Sequence, residues 1–102
     1  MSDRSSSEKA ADPDPLIHEP ARLHIVTLLM ASEFADFTFL LGAVGLTRGN
    51  LSTHMSRLIA AKYIEERKFF ANRIPRTEYR LTTDGRTAYH RYIAWWKRTT
   101  GL

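Results

Sequence analysis

Between Gly45 and Leu58 the chain reads Gly-Leu-Thr-Arg-Gly-Asn-Leu-Ser-Thr-His-Met-Ser-Arg-Leu, and its apolar residues fall on a single helical stripe. Leu51, Met55, Leu58 and Ile59 stand at i, i+4, i+7 and i+8, so a 3.6-residue period stacks them inward. The other face then carries Arg48, Asn50, Ser52, Thr53, Ser56 and Arg57, side chains short or forked enough to reach a base edge or a phosphate. Thr47 is placed to cap a helix running from about Arg48 to Ala61, and Gly45 supplies the left-handed residue that ends whatever precedes it.

What precedes it is a second short helix. Thr38 is the expected cap for Phe39, Leu40, Leu41, Ala43 and Val44, after an extended link at Asp36 and Phe37. Two helices joined by a short Gly-containing turn make a helix-turn-helix. Upstream, Pro20 suits a first helical position, and a helix to about Ser32 carries Leu23, Ile25, Val26, Leu28, Leu29 and Met30, which implies central burial. Residues 1–15 are rich in Ser, Asp, Ala and Pro and have too little apolar surface to offset the entropy of ordering, so we expect a disordered polar tail.

Beyond Lys62 the period changes. Tyr63 to Phe70 and Thr77 to Thr82 are rich in aromatic and β-branched residues, and the segment from Ala71 to Arg76, with its Asn and Pro, reads as the loop of a two-stranded hairpin. Phe69 and Phe70 cannot both face inward on a regular strand. Thr82 can cap a last helix ending near Thr99. The fold class is therefore mainly α with a small β-hairpin. It comprises one domain at residues 16–82 and a terminal helix at 83–99 packed on it.

Charge separates along the chain. The first 19 residues hold five acids and two bases, which leaves thirteen Lys and Arg against six Asp and Glu from residue 20 onward, a net of +7. Eight bases and three acids lie between Arg48 and Arg80. Such a concentration is a footprint for polyanions, without implying sequence specificity. Arg48 and Arg57 can pair with guanine or bind phosphate, Asn50 can pair with adenine, and Thr53 can touch a thymine methyl. The hairpin adds Lys68, Arg73, Arg76 and Arg80 for a phosphate ridge or a minor groove. Each residue alone is an ordinary exposed polar side chain, and only their joint placement points to DNA.

Other chemistries find little support. There is no cysteine, which excludes disulfides and thiolate metal sites, and His18, His24, His54 and His90 show no metal-ligand spacing. No metal or cofactor is expected. No nucleophile elbow, phosphate-binding Gly loop or paired catalytic carboxylates occur, so the chain does not read as an enzyme. No stretch approaches the roughly 18 apolar residues of a membrane helix. We expect a soluble, cytoplasmic protein. His54 sits at the edge of the apolar stripe, where packing and phosphate contact are both open. The final helix carries Ala88, Tyr89, Tyr92, Ile93, Trp95 and Trp96 around so much of its circumference that a partner is expected.

Leu16-Ile17-His18-Glu19-Pro20-Ala21-Arg22-Leu23, then Asp36-Phe37, Leu46-Thr47-Arg48-Gly49-Asn50-Leu51-Ser52-Thr53-His54 and Thr77-Glu78-Tyr79-Arg80-Leu81-Thr82 with Gly85 together resemble a winged helix-turn-helix transcriptional regulator of the small prokaryotic group related to MarR and ArsR. The resemblance spans roughly residues 16–97. It implies a homodimer joined through terminal elements (Leu16, Ile17, Tyr89, Tyr92, Ile93, Trp95, Trp96), a recognition helix in the major groove, and a wing on the flanking backbone or minor groove. Thr47, Arg48, Asn50, Ser52, Thr53, His54, Arg57, Lys68, Arg73, Arg76 and Arg80 would contact double-stranded DNA, with half-sites of a pseudo-palindrome roughly 34 Å apart. A protein-interaction or architectural module on the same scaffold is the alternative. A small-molecule or protein effector is left open, and a cleft between the terminal helix and the reading helix is where a small molecule would be expected.

Overall fold

The computed structural model describes residues 12–102, so most of the expected disordered tail lies outside the described residues. Among the described residues there are four helices and three strands: α1 Pro20–Met30, β1 Ala35–Asp36, α2 Phe37–Val44, α3 Arg48–Ala60, β2 Ile64–Ala71, β3 Ile74–Leu81 and α4 Thr83–Thr100. The sheet is antiparallel in the order β1-β3-β2. Its central strand pairs Tyr79 with Ala35 on one side and with Glu66 on the other.

Caps set the helix boundaries. Thr47 accepts from the Asn50 N–H at 3.2 Å and Thr82 from the Gly85 N–H at 2.9 Å, as their positions in the sequence imply. The cap of α2 is Asp36 rather than Thr38: its carboxylate accepts from the Phe39 N–H at 2.7 Å. Asp36 can do this because β1 fixes it in extended backbone while pairing it with Glu78, a constraint set by a distant strand. Gly45, at φ 73°, ends α2 in the left-handed region. Helix α3 ends without a glycine. Lys62 takes φ 64°, its N–H bonded to Ile59 O and that of Tyr63 to Leu58 O, the reciprocal pair that closes a helix end.

The core gathers Ile25, Val26 and Leu29 from α1, Leu40 from α2, Leu51, Met55 and Leu58 from α3, and Ile64, Tyr79 and Leu81 from the sheet. Helix α3 therefore buries the stripe that its sequence period marks. A smaller cluster joins Ile17 to Ala88 and Tyr92 of α4. Here the segment before α1 covers part of the aromatic surface of α4. His18 Nδ1 lies 2.9 Å from the Tyr92 hydroxyl, and the His18 ring meets Trp95 edge-on at 5.2 Å. Asp14 accepts from the Tyr63 hydroxyl at 2.5 Å, and burial together with this carboxylate pushes the phenol up to about 12.

Ile17 and Tyr92 are consequently spent inside the single chain and have almost no surface left for a partner. Trp96 remains 43% exposed, with Tyr89, Ile93 and Trp95 half-buried. No helix among the described residues is long and apolar enough to cross a membrane.

Candidate nucleic-acid interface

Helix α3 and the hairpin meet across a cleft of about 710 Å³. Arg48 and Ser52 line it from α3, Lys68 from β2, and Arg76 and Thr77 from β3. Arg48, Ser52 and Lys68 thus converge, because the hairpin turns its Ile64, Tyr79 and Leu81 into the core beside α3 and its distal half then runs past the start of that helix. Arg76, opposite Phe69 and of the same strand parity as Arg80, borders the cleft from near the turn. Arg48 is steadied by its guanidinium, 5.1 Å from the centre of the Phe37 ring. The cleft opens at the positive end of the α3 dipole, which adds to the cationic character of its wall. Two acids, Asp36 and Glu66, share it. Asp36 is engaged in its cap, and Glu66 stands opposite Tyr79, whose phenol burial and this carboxylate push up to about 12.

The hairpin is tighter than its sequence suggests. Pairing continues through Phe70 with Pro75 and Ala71 with Ile74, so only Asn72 and Arg73 form the turn, at φ 52° and 66°. Two successive residues in that region give the primed turn whose twist matches the strands, and asparagine tolerates it. The loop expected from Ala71 to Arg76 is therefore mostly strand, and Arg73 stands at its extreme tip.

Residues 21–100 match the family of winged helix DNA-binding domains. The chain belongs to that family. This winged helix domain is 30% identical over 78 residues to an uncharacterised protein of Methanocaldococcus jannaschii, a similarity covering 76% of this chain and 85% of that one. A transcriptional regulator homologue from Pyrococcus horikoshii superposes with a TM-score of 0.84 at 26% identity, over 94% of this chain and 95% of the other. The same fold appears in a protein from Enterococcus faecalis assigned to the MarR family of transcriptional regulators, with a TM-score of 0.73 at 21% identity over 96% and 87% of the two chains.

In this winged helix domain α3 is the second helix of the helix-turn-helix and the β2–β3 hairpin is the wing. Asn50, Ser52 and Arg57 are exposed on the outer face of α3. Thr53 is exposed too, although its hydroxyl donates back to Gly49 O at 3.0 Å. Two expected contacts move elsewhere. His54 turns toward α1: Arg22 Nη1 lies 3.1 Å from its Nδ1, Glu19 Oε1 is at 3.9 Å, and the same Arg22 donates to Leu16 O at 2.6 Å. It ties α3 to α1 and the preceding turn, which favours packing over an outward contact.

Arg80 lies on the sheet face away from Ile64, Tyr79 and Leu81, paired with Glu65 at 2.9 Å and stacked 5.5 Å over Phe34. Alternation along a strand puts it there: Arg80 flanks the buried Tyr79 and Leu81, so it must point to the opposite face. Arg67 joins it, stacked on Phe34 and Phe69 and bonded to Glu78. A second cleft, of about 830 Å³, is lined by Pro13, Tyr63, Arg91, Tyr92 and Trp95. It separates α4 from the amino-terminal segment and not from the reading helix, because Ile17 and His18 occupy the flank of α4.

Proposed function

We propose that this winged helix domain works as a homodimeric, sequence-reading transcriptional regulator, with α3 in the major groove and the wing on the flanking backbone or minor groove of double-stranded DNA. The cleft that joins Arg48 and Ser52 to Lys68 and Arg76 carries this reading. It aligns the amino-terminal turn of a polar-faced helix with a cationic hairpin, so one duplex can meet base-reading and phosphate-binding groups together. Exposed Trp96 beside half-buried Trp95, Ile93 and Tyr89 supports pairing through α4. Half-buried Leu16 can join the rim of that surface. The likeness to transcriptional regulators in the fold supports the regulatory role.

Selection of bound sequences from random duplex tests the proposal. Enrichment of a pseudo-palindrome, with a dimeric mass by light scattering, is the expected result. Binding without enrichment would instead indicate an architectural module, and the absence of binding would remove the DNA role.

The wing gives a separate result. Arg73→Ala with Arg76→Ala should weaken binding to every duplex alike and lower the slope of log K against log salt by about two. Fluorescence anisotropy at several salt concentrations measures it, and an unchanged slope would place these arginines off the phosphates.

A further inference from the structure

The wing tip is apolar as well as cationic. Phe70 is 75% exposed and Ile74 54% exposed, and Pro75, directly opposite Phe70, is exposed too. Single exposed apolar residues are common, but here three adjoin one two-residue turn. From Lys68 to Thr77 the hairpin has three cations and no acid, so its surroundings suit a polyanion and disfavour an acidic partner. Phe70 and Pro75 also share the sheet face of Ile64, Tyr79 and Leu81, the side on which α3 lies. A duplex seated on α3 is thereby presented to Phe70 rather than to the back of the sheet.

We propose that Phe70, backed by Pro75 and steered by Arg73 and Arg76, is a wedge that enters the minor groove and partly unstacks one base step, bending the duplex. This rests on the DNA-binding reading above and adds deformation to it. A minor groove of about 6 Å is too narrow for the whole hairpin tip, whose two strands alone stand about 4.8 Å apart before side chains are added. Entry therefore requires the groove to open, which unstacking and kinking accomplish. Pyrimidine–purine steps yield most readily and A-tracts least. Sequence preference would thus extend to positions that no polar side chain touches.

Two end-labelled duplexes of about 30 base pairs test this, one with TA steps in both flanks and one with A-tracts in their place, followed by energy transfer at saturating protein. The parent protein should bend the TA duplex by about 20–90° and bind it about tenfold more tightly than the A-tract duplex. Phe70→Ala should still bind but leave the duplex straight and lose the preference. Phe70→Lys should hold affinity through its added charge, also without bending, whereas Phe70→Trp should keep the bend. Equal bending by parent and Phe70→Ala would overturn the wedge and leave DNA binding intact. A parent that binds neither duplex would remove the DNA reading and the wedge with it. If Phe70→Ala changes the mass in light scattering and bending is absent throughout, the tip is a contact between copies and the wedge is overturned.

Discussion

Gly85→Ala should lower the stability of the domain by about 3 kcal/mol, the upper end of what overpacking usually costs. A methyl group there would sit 2.1 Å from the carbonyl oxygen of Tyr63 and 3.0 Å from Leu81 Cδ2. The first neighbour is backbone and cannot rotate away. It is also engaged, since Tyr63 O accepts from the Thr82 N–H at 3.0 Å while the Thr82 hydroxyl donates to Lys62 O at 2.6 Å. Relieving the clash would pull apart the junction where α3, the wing and α4 meet. In a domain of this size the loss corresponds to a fall in Tm of roughly 12–24 °C. Gly42→Ala is the internal control. It lies within α2 with nothing inside 4 Å of the added carbon, so it should stabilise by roughly 0.5–1 kcal/mol. Thermal melts of both variants decide the matter: a Gly85→Ala domain melting within a few degrees of the parent would show that the junction yields.

The contrast between these two glycines also marks where sequence pattern stops being informative. Periodicity identified Leu51, Met55 and Leu58, and all three are buried, because an amphipathic helix announces its inward face through its own spacing. The caps Thr47 and Thr82 and the turn at Gly45 were equally readable, since each acts on backbone three or four residues away. Gly85 acts on Tyr63, twenty-two positions earlier, and nothing beside it in sequence reveals that contact. The same limit misplaced the cap of α2, which depends on the pairing of β1 with β3.

For the interface, composition indicated a basic wing but not which face each cation takes. Arg80 and Lys68 look alike in sequence. Strand alternation sends Lys68 to the cleft with Arg48 and Arg80 to the back with Glu65 and Phe34. The buried Tyr79 and Leu81 could have signalled this had the register been known. Phe37 and Thr38 were missed as cleft residues because their neighbours there come from α3 and the wing. His54 needed Arg22 and Glu19, thirty or more residues upstream, to settle its direction.

Asn50→Ala combined with Arg57→Ala should remove most base discrimination while leaving the fold intact. Both side chains are exposed on α3, and neither belongs to the stripe that packs in the core. Asn50 contributes its backbone N–H to the Thr47 cap, and alanine preserves that donor. Each bidentate base contact is worth about 1–3 kcal/mol of discrimination, so the pair should cost about 2–6 kcal/mol on a selected duplex. On random duplex the loss should be much smaller, since binding there rests on phosphates and the wing cations remain. Anisotropy titrations of both duplexes at one salt concentration separate these terms, with an unchanged Tm confirming the fold. Equal losses on the two duplexes would mean that Arg57 serves only as a phosphate contact and Asn50 reads nothing, which would move specificity from the outer face of α3 to the deformation of DNA by the wing.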